Sequence, residues 1–409
     1  MKTIGDTKQS CVYKNVRLET GFEFNGDVVA ATKTGLFCIE TENGLIKSVS
    51  PDNGAGGGVD ANGLLMLPAF KDMHTHLDKT LYGLPWKAVS GKKRSVKDMI
   101  ALEQRIIPEL LRTSVARSER LIELLQSFGI HYARSHFNVD PTSGLRSLEH
   151  LQQALLNKKE SFAAELVAFP QHGIFYTDTA TLLKEVAQLE EVGFIGGLDP
   201  TTIDGSINKP LDFIVQLAAD HGKGIDIHLH ETGATGIKTI EYLVDRIMEI
   251  PGLQGKTTVS HAFVLAHLPE KKLSELAEKL ASAKISIATA LPVRGGQIMP
   301  LPVLWQHGVT VLTGNDNIQD HWGTLGSGNL LQKANLAADL YGLETEYALS
   351  RLLGMATGNR LPLDNKGHHQ WPRKGDPADF VLIEAGSSAE AVSRISPVKR
   401  LVHRGNIVY

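Results

Sequence analysis

Leu65-Met66-Leu67-Pro68-Ala69-Phe70-Lys71-Asp72-Met73-His74-Thr75-His76 runs from an apolar stretch into two histidines one residue apart. Residues 65–74 have the character of a buried β-strand. Side chains two apart on an extended chain point the same way, so His74 and His76 are expected to face one spot at the strand's C-terminal end. Two imidazoles held that way suit zinc, iron, cobalt or nickel. A His-x-His pair alone is equally compatible with two surface histidines, so the rest of the chain has to decide.

Seven more short apolar or β-branched segments follow: 131–137, 165–171, 194–200, 224–230, 257–261, 284–290 and 309–316. Between most of them the apolar residues recur at three- and four-residue intervals, as in 121–125, 182–189, 211–219, 240–250 and 268–280. Alternating strands and helices imply parallel βαβ units, and eight of them imply an α/β fold, a distorted (β/α)8 TIM barrel. The flanks differ. Segments 28–32 and 36–39 near the N-terminus, and 379–383 and 400–408 near the C-terminus, look like β-strands that pair with one another. The expected organisation is a small β-domain built from both chain ends, residues 1–67 and 361–409, beside a metal-dependent barrel over 68–360. The stretch Gly54–Gly58 reads as a turn and not a phosphate loop, because no helix opening with a Lys-Ser/Thr pair follows it.

Composition narrows the class. A chain of 409 residues suits one large barrel plus a smaller unit. The formal net charge of -3 and dispersed Lys and Arg give no basic stripe for nucleic acid, and Lys92–Arg94 is a short solvated run. Cys11 and Cys38 are the only cysteines, too few for a disulfide framework or a thiolate zinc site, and they suit a reducing cytoplasm. Met1–Cys11 lacks the apolar core of a signal peptide, and no apolar run reaches membrane-spanning length, so no membrane partner is expected. A homo-oligomer is compatible with these data.

Histidines and carboxylates gather at four strand ends: His74 and His76 on the first, His228, His230 and Glu231 on the fifth, His261 on the sixth, Asp316 on the eighth. Active sites of such barrels lie on that face. The motifs His74-Thr75-His76-Leu77-Asp78-Lys79, Ala168-Phe169-Pro170-Gln171, His228-Leu229-His230-Glu231, Ser260-His261-Ala262 and Asp316-Asn317 occur in this order. With Gly196-Gly197-Leu198-Asp199-Pro200, Gly326-Ser327-Gly328-Asn329 and Gly375-Asp376-Pro377-Ala378-Asp379, they resemble the amidohydrolase superfamily, in its cytosine deaminase-like branch. Some segments look most similar to N-isopropylammelide amidohydrolases, which act on a triazine ring.

The resemblance implies that His74, His76, His228 and Asp316 hold one divalent metal ion, Zn2+ or alternatively Fe2+. It makes Glu231 the proton shuttle, His261 the residue that steadies the attacking water, and Gln171 a contact to the substrate ring. Asp316 can also accept the water's proton. Glu231 lies three residues after His228, so the two converge only if the chain turns, which Gly233 permits. His172 and Asn317 stand where cytosine deaminases often have carboxylates, which tilts the expected heterocycle away from cytosine. His230 is a further candidate substrate contact, and His136, at the end of the second strand, shares its ambiguity. Trp86, in the long loop after the first strand, is a candidate cover for a flat ring or else packs on a neighbouring helix. Arg294 is a candidate partner for an acidic substituent. Asp78 and Lys79 are expected to shape the first loop.

Three other chemistries fit less well. Segment 194–200 has no lysine to bridge two metals. Cysteines at 11 and 38 exclude the Pro-Cys-x-x-Cys zinc deaminases. Ser260, beside His261 on a strand, is expected to face away from it, which disfavours a nucleophilic serine. The resulting expectation is a hydrolase of an exocyclic C–N bond on a pyrimidine-, triazine- or pterin-like small molecule. A cyclic amide (lactam) hydrolase and a non-catalytic ligand-binding barrel are the alternatives.

Overall fold

The computed structural model describes residues 10–54, 57–89, 95–293 and 296–409. Arg294, the basic stretch 92–94, residues 55–56 of the glycine-rich turn and residues 1–9 lie outside them.

Both ends of the chain meet in one sheet. Strands β1 (Ser10–Asn25), β2 (Val28–Glu42) and β3 (Leu45–Pro51) form an antiparallel meander, and the short β4 (Val59–Asp60) runs parallel to β1. Segments 28–32 and 36–39, read as separate strands, are one continuous β2. The expected first barrel strand is in fact two. Leu65–Pro68 (β5) stays in the β-domain, and the chain then steps through Ala69 into Phe70–Thr75 (β6), the true first barrel strand. Pro68 carries no N–H and closes β5.

The barrel strands follow in order: β7 (Ile130–Asn138), β8 (Ala163–Phe169), β9 (Val192–Leu198), β10 (Gly224–His228), β11 (Thr257–Ser260), β12 (Ile285–Thr289) and β13 (Val311–Thr313). Each neighbouring pair from β6 to β13 is parallel. The ring closes where Thr75 bridges Asp316 and the Asp316 N–H donates to the His74 carbonyl at 2.8 Å. A Cβ at Gly314 would overlap the His74 backbone, so this closure requires glycine there. Helices cover the outside through one apolar stripe each. The helix Gly233–Glu249, for example, buries Ile240, Leu243, Val244 and Ile247.

The C-terminal β14 (Phe380–Ile383) pairs antiparallel with β5, and β15 (Val398–His403) pairs with β14. The expected strand 400–408 is a hairpin, turning at Arg404-Gly405 into β16 (Asn406–Ile407). Tyr13, Val16, Ile39, Met66, Trp371, Phe380 and Val402 form this domain's own buried core. The barrel and its helices share a second, larger one. The α/β barrel with a small β-domain from both ends is therefore present.

Candidate metal centre

β6 delivers His74 and leads directly into His76, β10 delivers His228, and the turn after β13 delivers Asp316. His74 and His76 Nε2 each lie 3.5 Å from Asp316 Oδ1, and His228 Nε2 lies 3.3 Å from His76 Nε2. Tetrahedral zinc bonded at about 2.0–2.1 Å has ligand–ligand edges of about 3.3 Å, so these separations fit one ion. The donor chemistry fits as well. Burial holds His76 and His228 well below the ordinary histidine range, keeping neutral imidazoles with lone pairs. Burial would raise the Asp316 carboxyl, but His261, His74 and His76 around it hold it well below the usual range, as a carboxylate.

The proton on His74 can be located from its neighbours. Ser260 Oγ donates to Asp226 Oδ1 at 2.6 Å, so it accepts from His74 Nδ1, 2.9 Å away. The proton is then on Nδ1. Nε2, buried and without a hydrogen-bond partner, keeps its lone pair toward the cluster. This corrects the expected orientation of Ser260, which points into the barrel like its neighbour. Alternation fails because His261 and Ala262 adopt φ of 70° and 47°, which swings His261 back toward the centre. His261 stacks on His230 at 4.6 Å and lies edge-on to His74 at 4.9 Å.

His136 is fully buried among His74, His76 and His228, with ring centroids 4.5–5.3 Å away. Two overlapping groups of ligand atoms result, each within 4.8 Å: His74, His76, His136 and His228, and His74, His228, His261 and Asp316. His136 Nε2 lies 3.4 Å from Asp226 Oδ1, on the deep side, and burial lowers its pKa to about 4. Asp226 also takes Arg134 at 3.2 Å. One buried carboxylate thus braces the floor of the cluster.

Above the floor, Asp199 orders the turn after β10. Its Oδ1 accepts the His230 and Glu231 N–H groups at 2.6 and 3.2 Å, and its Oδ2 lies 2.8 Å from His230 Nδ1. Burial would lower the His230 pKa, but Asp199 outweighs it and the net shift is upward. The His230 side chain remains a third exposed, so it fronts the mouth. The Glu231 carboxylate accepts the Thr202 N–H at 2.6 Å and the Thr239 hydroxyl at 3.4 Å.

A second polar cluster stands beside the first. Lys79 Nζ donates to Gln171 Oε1 at 2.6 Å and lies 3.8 Å from Glu103. Asp78, as expected, shapes its loop by accepting the Asn138 N–H at 2.9 Å, whereas Lys79 reaches into the site. Glu103 is fully buried and is met by His172 at 3.0 Å, His321 at 2.8 Å and the Trp322 indole N–H at 3.0 Å. His172 is itself fully buried, with Asp140 3.4 Å from its other ring nitrogen. It is placed to hold Glu103 and has no free edge for a ligand. Asn317 Oδ1 is a buried acceptor without a donor. Trp86 is 72% exposed.

Sequence reading did not single out Glu103, Asp226, His321 or Trp322, nor the roles of Asp199 and Lys79. One signal for Glu103 was available. It occupies a position on the buried stripe Ile100, Glu103, Ile107, Leu111 of the helix Val96–Leu111, where a carboxylate needs partners.

Residues 116–409 match the amidohydrolase family. The chain belongs to the amidohydrolase family. This amidohydrolase, a hydrolase of carbon–nitrogen bonds, is 45% identical over 401 residues to the uncharacterized protein YahJ of Escherichia coli K12, covering 97% of this chain and 86% of that one. It is 26% identical over 359 residues to N-isopropylammelide isopropyl amidohydrolase of Pseudomonas sp. strain ADP, covering 86% and 87% of the two chains. The crystal structure of N-isopropylammelide isopropylaminohydrolase from Burkholderia multivorans superimposes with a TM-score of 0.82 at 28% identity, over 98% of both chains. The amidohydrolase branch read from the motifs is the one these relatives occupy.

Proposed function

We propose that this amidohydrolase removes an amine from a nitrogen heterocycle by hydrolysing an exocyclic C–N bond, leaving the ring intact. The observation that carries the reading is the convergence of three imidazoles and one carboxylate while β9 (Val192–Leu198) brings no lysine to bridge a second ion. His74, His76, His228 and Asp316 would hold one divalent ion, zinc by preference and ferrous iron as the alternative. Such an ion supplies Lewis acidity, making water a nucleophile near neutral pH.

The protein's own groups do the rest. Asp316, a carboxylate beside the attacking water, accepts its proton. Burial keeps His261 neutral, able to hydrogen-bond that water across the face shared with His74. Glu231 takes on the proton released from the water and passes it to the leaving nitrogen as the C–N bond breaks. Its Oε2 is the freer oxygen, because the 3.4 Å bond from Thr239 is much looser than the 2.6 Å bond from Thr202. Lys79 occupies Gln171 Oε1, so the Gln171 amide offers N–H donors to a ring carbonyl or ring nitrogen. Asn317 Oδ1 offers the complementary acceptor to a ring N–H. His230, fixed by Asp199, contacts the substituent side. A ring presenting both an acceptor and an N–H, as hydroxylated or oxo-triazines, pyrimidines and pterins do, matches that pair. The N-isopropylammelide hydrolases among the relatives support a triazine-like member of this class.

A panel of aminotriazines, aminopyrimidines and pterins tests it. Amine should appear in step with a ring-intact product one hydroxyl richer. Ring opening without amine would transfer the assignment to a cyclic amide hydrolase, and turnover of none of them would remove the heterocycle reading.

A further inference from the structure

A second group of metal-type ligands lies at the opposite end of the barrel. His131 is the second residue of β7, five positions and about 17 Å of extended chain from His136. Odd and even positions alternate, so it lies on the other face from Arg134 and His136. It meets Asp379, immediately before β14, and His403, the last residue of β15. His131 Nδ1 lies 3.1 Å from His403 Nδ1, which lies 2.9 Å from Asp379 Oδ1; His131 Nδ1 and Asp379 Oδ1 are 3.7 Å apart.

Hydrogen bonding alone explains this trio poorly. A proton on His403 Nδ1 would be shared between a carboxylate and the lone pair of a second imidazole, leaving three ligand atoms crowded around one hydrogen. His131 and His403 are only 5% and 2% exposed, so the crowded nitrogens face no bulk solvent. Two imidazoles and a carboxylate whose ligand atoms all lie within 4.8 Å of one another are a donor set that suits a borderline divalent cation. The three separations bracket the edge of about 3.3 Å expected around zinc, so no ligand atom has to move by more than a few tenths of an ångström.

We propose that His131, His403 and Asp379 form a second, structural site for a divalent transition-metal ion, of which zinc is the best match. The site joins the N-terminal end of β7 to the C-terminal strands and locks the β-domain to the barrel. Its fourth position opens on the Asp379 side, where the side chain is 18% exposed. Lys71 and Arg404 lie within electrostatic reach of His131, and a single carboxylate offsets them, so this site is weaker than the barrel-mouth cluster.

Zinc per chain, counted by elemental mass spectrometry after equilibrium dialysis, tests the proposal independently of activity. A variant carrying both H74A and H76A should retain about one zinc ion and still gain melting temperature on zinc addition. H131Q and H403Q, in the otherwise intact chain, should each lose about one ion relative to the unsubstituted protein and lose that part of the zinc-dependent rise. Should either glutamine variant fail to fold, anomalous diffraction from zinc-equilibrated unsubstituted protein gives the same answer, with a peak about 2.1 Å from all three ligand atoms. No zinc retained by the H74A/H76A variant, an unchanged count in H131Q and H403Q, or no anomalous peak at the trio would overturn it.

Discussion

His261, Asp316 and Asp199 have φ of 70°, 60° and 34°, in a region that side chains other than glycine rarely occupy. Each stands just past a strand end in the candidate site, where backbone strain is tolerated because it aims a functional group. At His261 the turn lets adjacent residues serve one centre: Ser260 fixes the His74 tautomer from below while His261 looks in from the side. Periodicity arguments presuppose an unbroken strand, so Ser260 was misread at the position where the backbone departs from one. Glu231 is reached differently, through the turn that Asp199 pins and Gly233 (φ 63°) completes. Its side chain keeps the same size and its bond from Thr202 when changed to glutamine, but loses the ability to carry a proton. Glu231→Gln should therefore bind metal as the unsubstituted protein does and turn over about 10²- to 10⁴-fold more slowly. Steady-state turnover together with metal content checks this; unimpaired turnover would remove Glu231 from the mechanism.

Elements meet at Glu103. The helix Val96–Leu111 opens with a capping box between Ser95 and Asp98 and inserts Glu103 into the gap between the loops after β8 and β13. His172 comes from the first of these loops, and His321 and Trp322 from the second. Burial alone would raise the Glu103 carboxyl, but Lys79, His172 and His321 together hold it well below the usual range. Burial likewise disfavours a charge on His172, yet Asp140 and Glu103 raise its pKa to about 9. The sign follows. A histidine whose folded pKa exceeds its ordinary value of 6.5 adds stability that is fully present below pH 6.5 and is lost as pH rises toward 9. Urea unfolding should show stability falling across that window, and His172→Gln should flatten this part of the fall while costing about 3 kcal/mol at pH 6. An identical pH slope in both proteins would contradict the charged assignment. The expected substrate contact at His172 rests on its standing where cytosine deaminases often have a carboxylate; that its ring meets Glu103 depends on a helix more than sixty residues upstream, which local sequence does not reveal.

At the scale of the molecule, the alternation of eight apolar strands with amphipathic helices was legible because burial imposes a period on every element. The clustering of the histidines was legible because barrel topology brings strand ends together whatever the loops do. The break at Pro68-Ala69 was not, since an apolar run looks the same whether it spans one sheet or two. Nor was the long-range pairing of His131 with Asp379 and His403, which exists only because the C-terminal strands fold back under the barrel. Asp226 escaped notice for a related reason: a carboxylate inside a barrel strand gives no local sign that it supports a histidine from the strand four positions away around the ring by way of Ser260.

The central claim is that the four residues His74, His76, His228 and Asp316 hold an ion without which the protein's groups cannot hydrolyse a C–N bond. Amine release by chelator-treated protein, measured before and after graded return of zinc or anaerobic ferrous iron, tests it most directly. The account predicts loss of amine release with the metal and recovery on its return, with H74A and H76A unable to recover. Undiminished release from protein stripped of metal would contradict it.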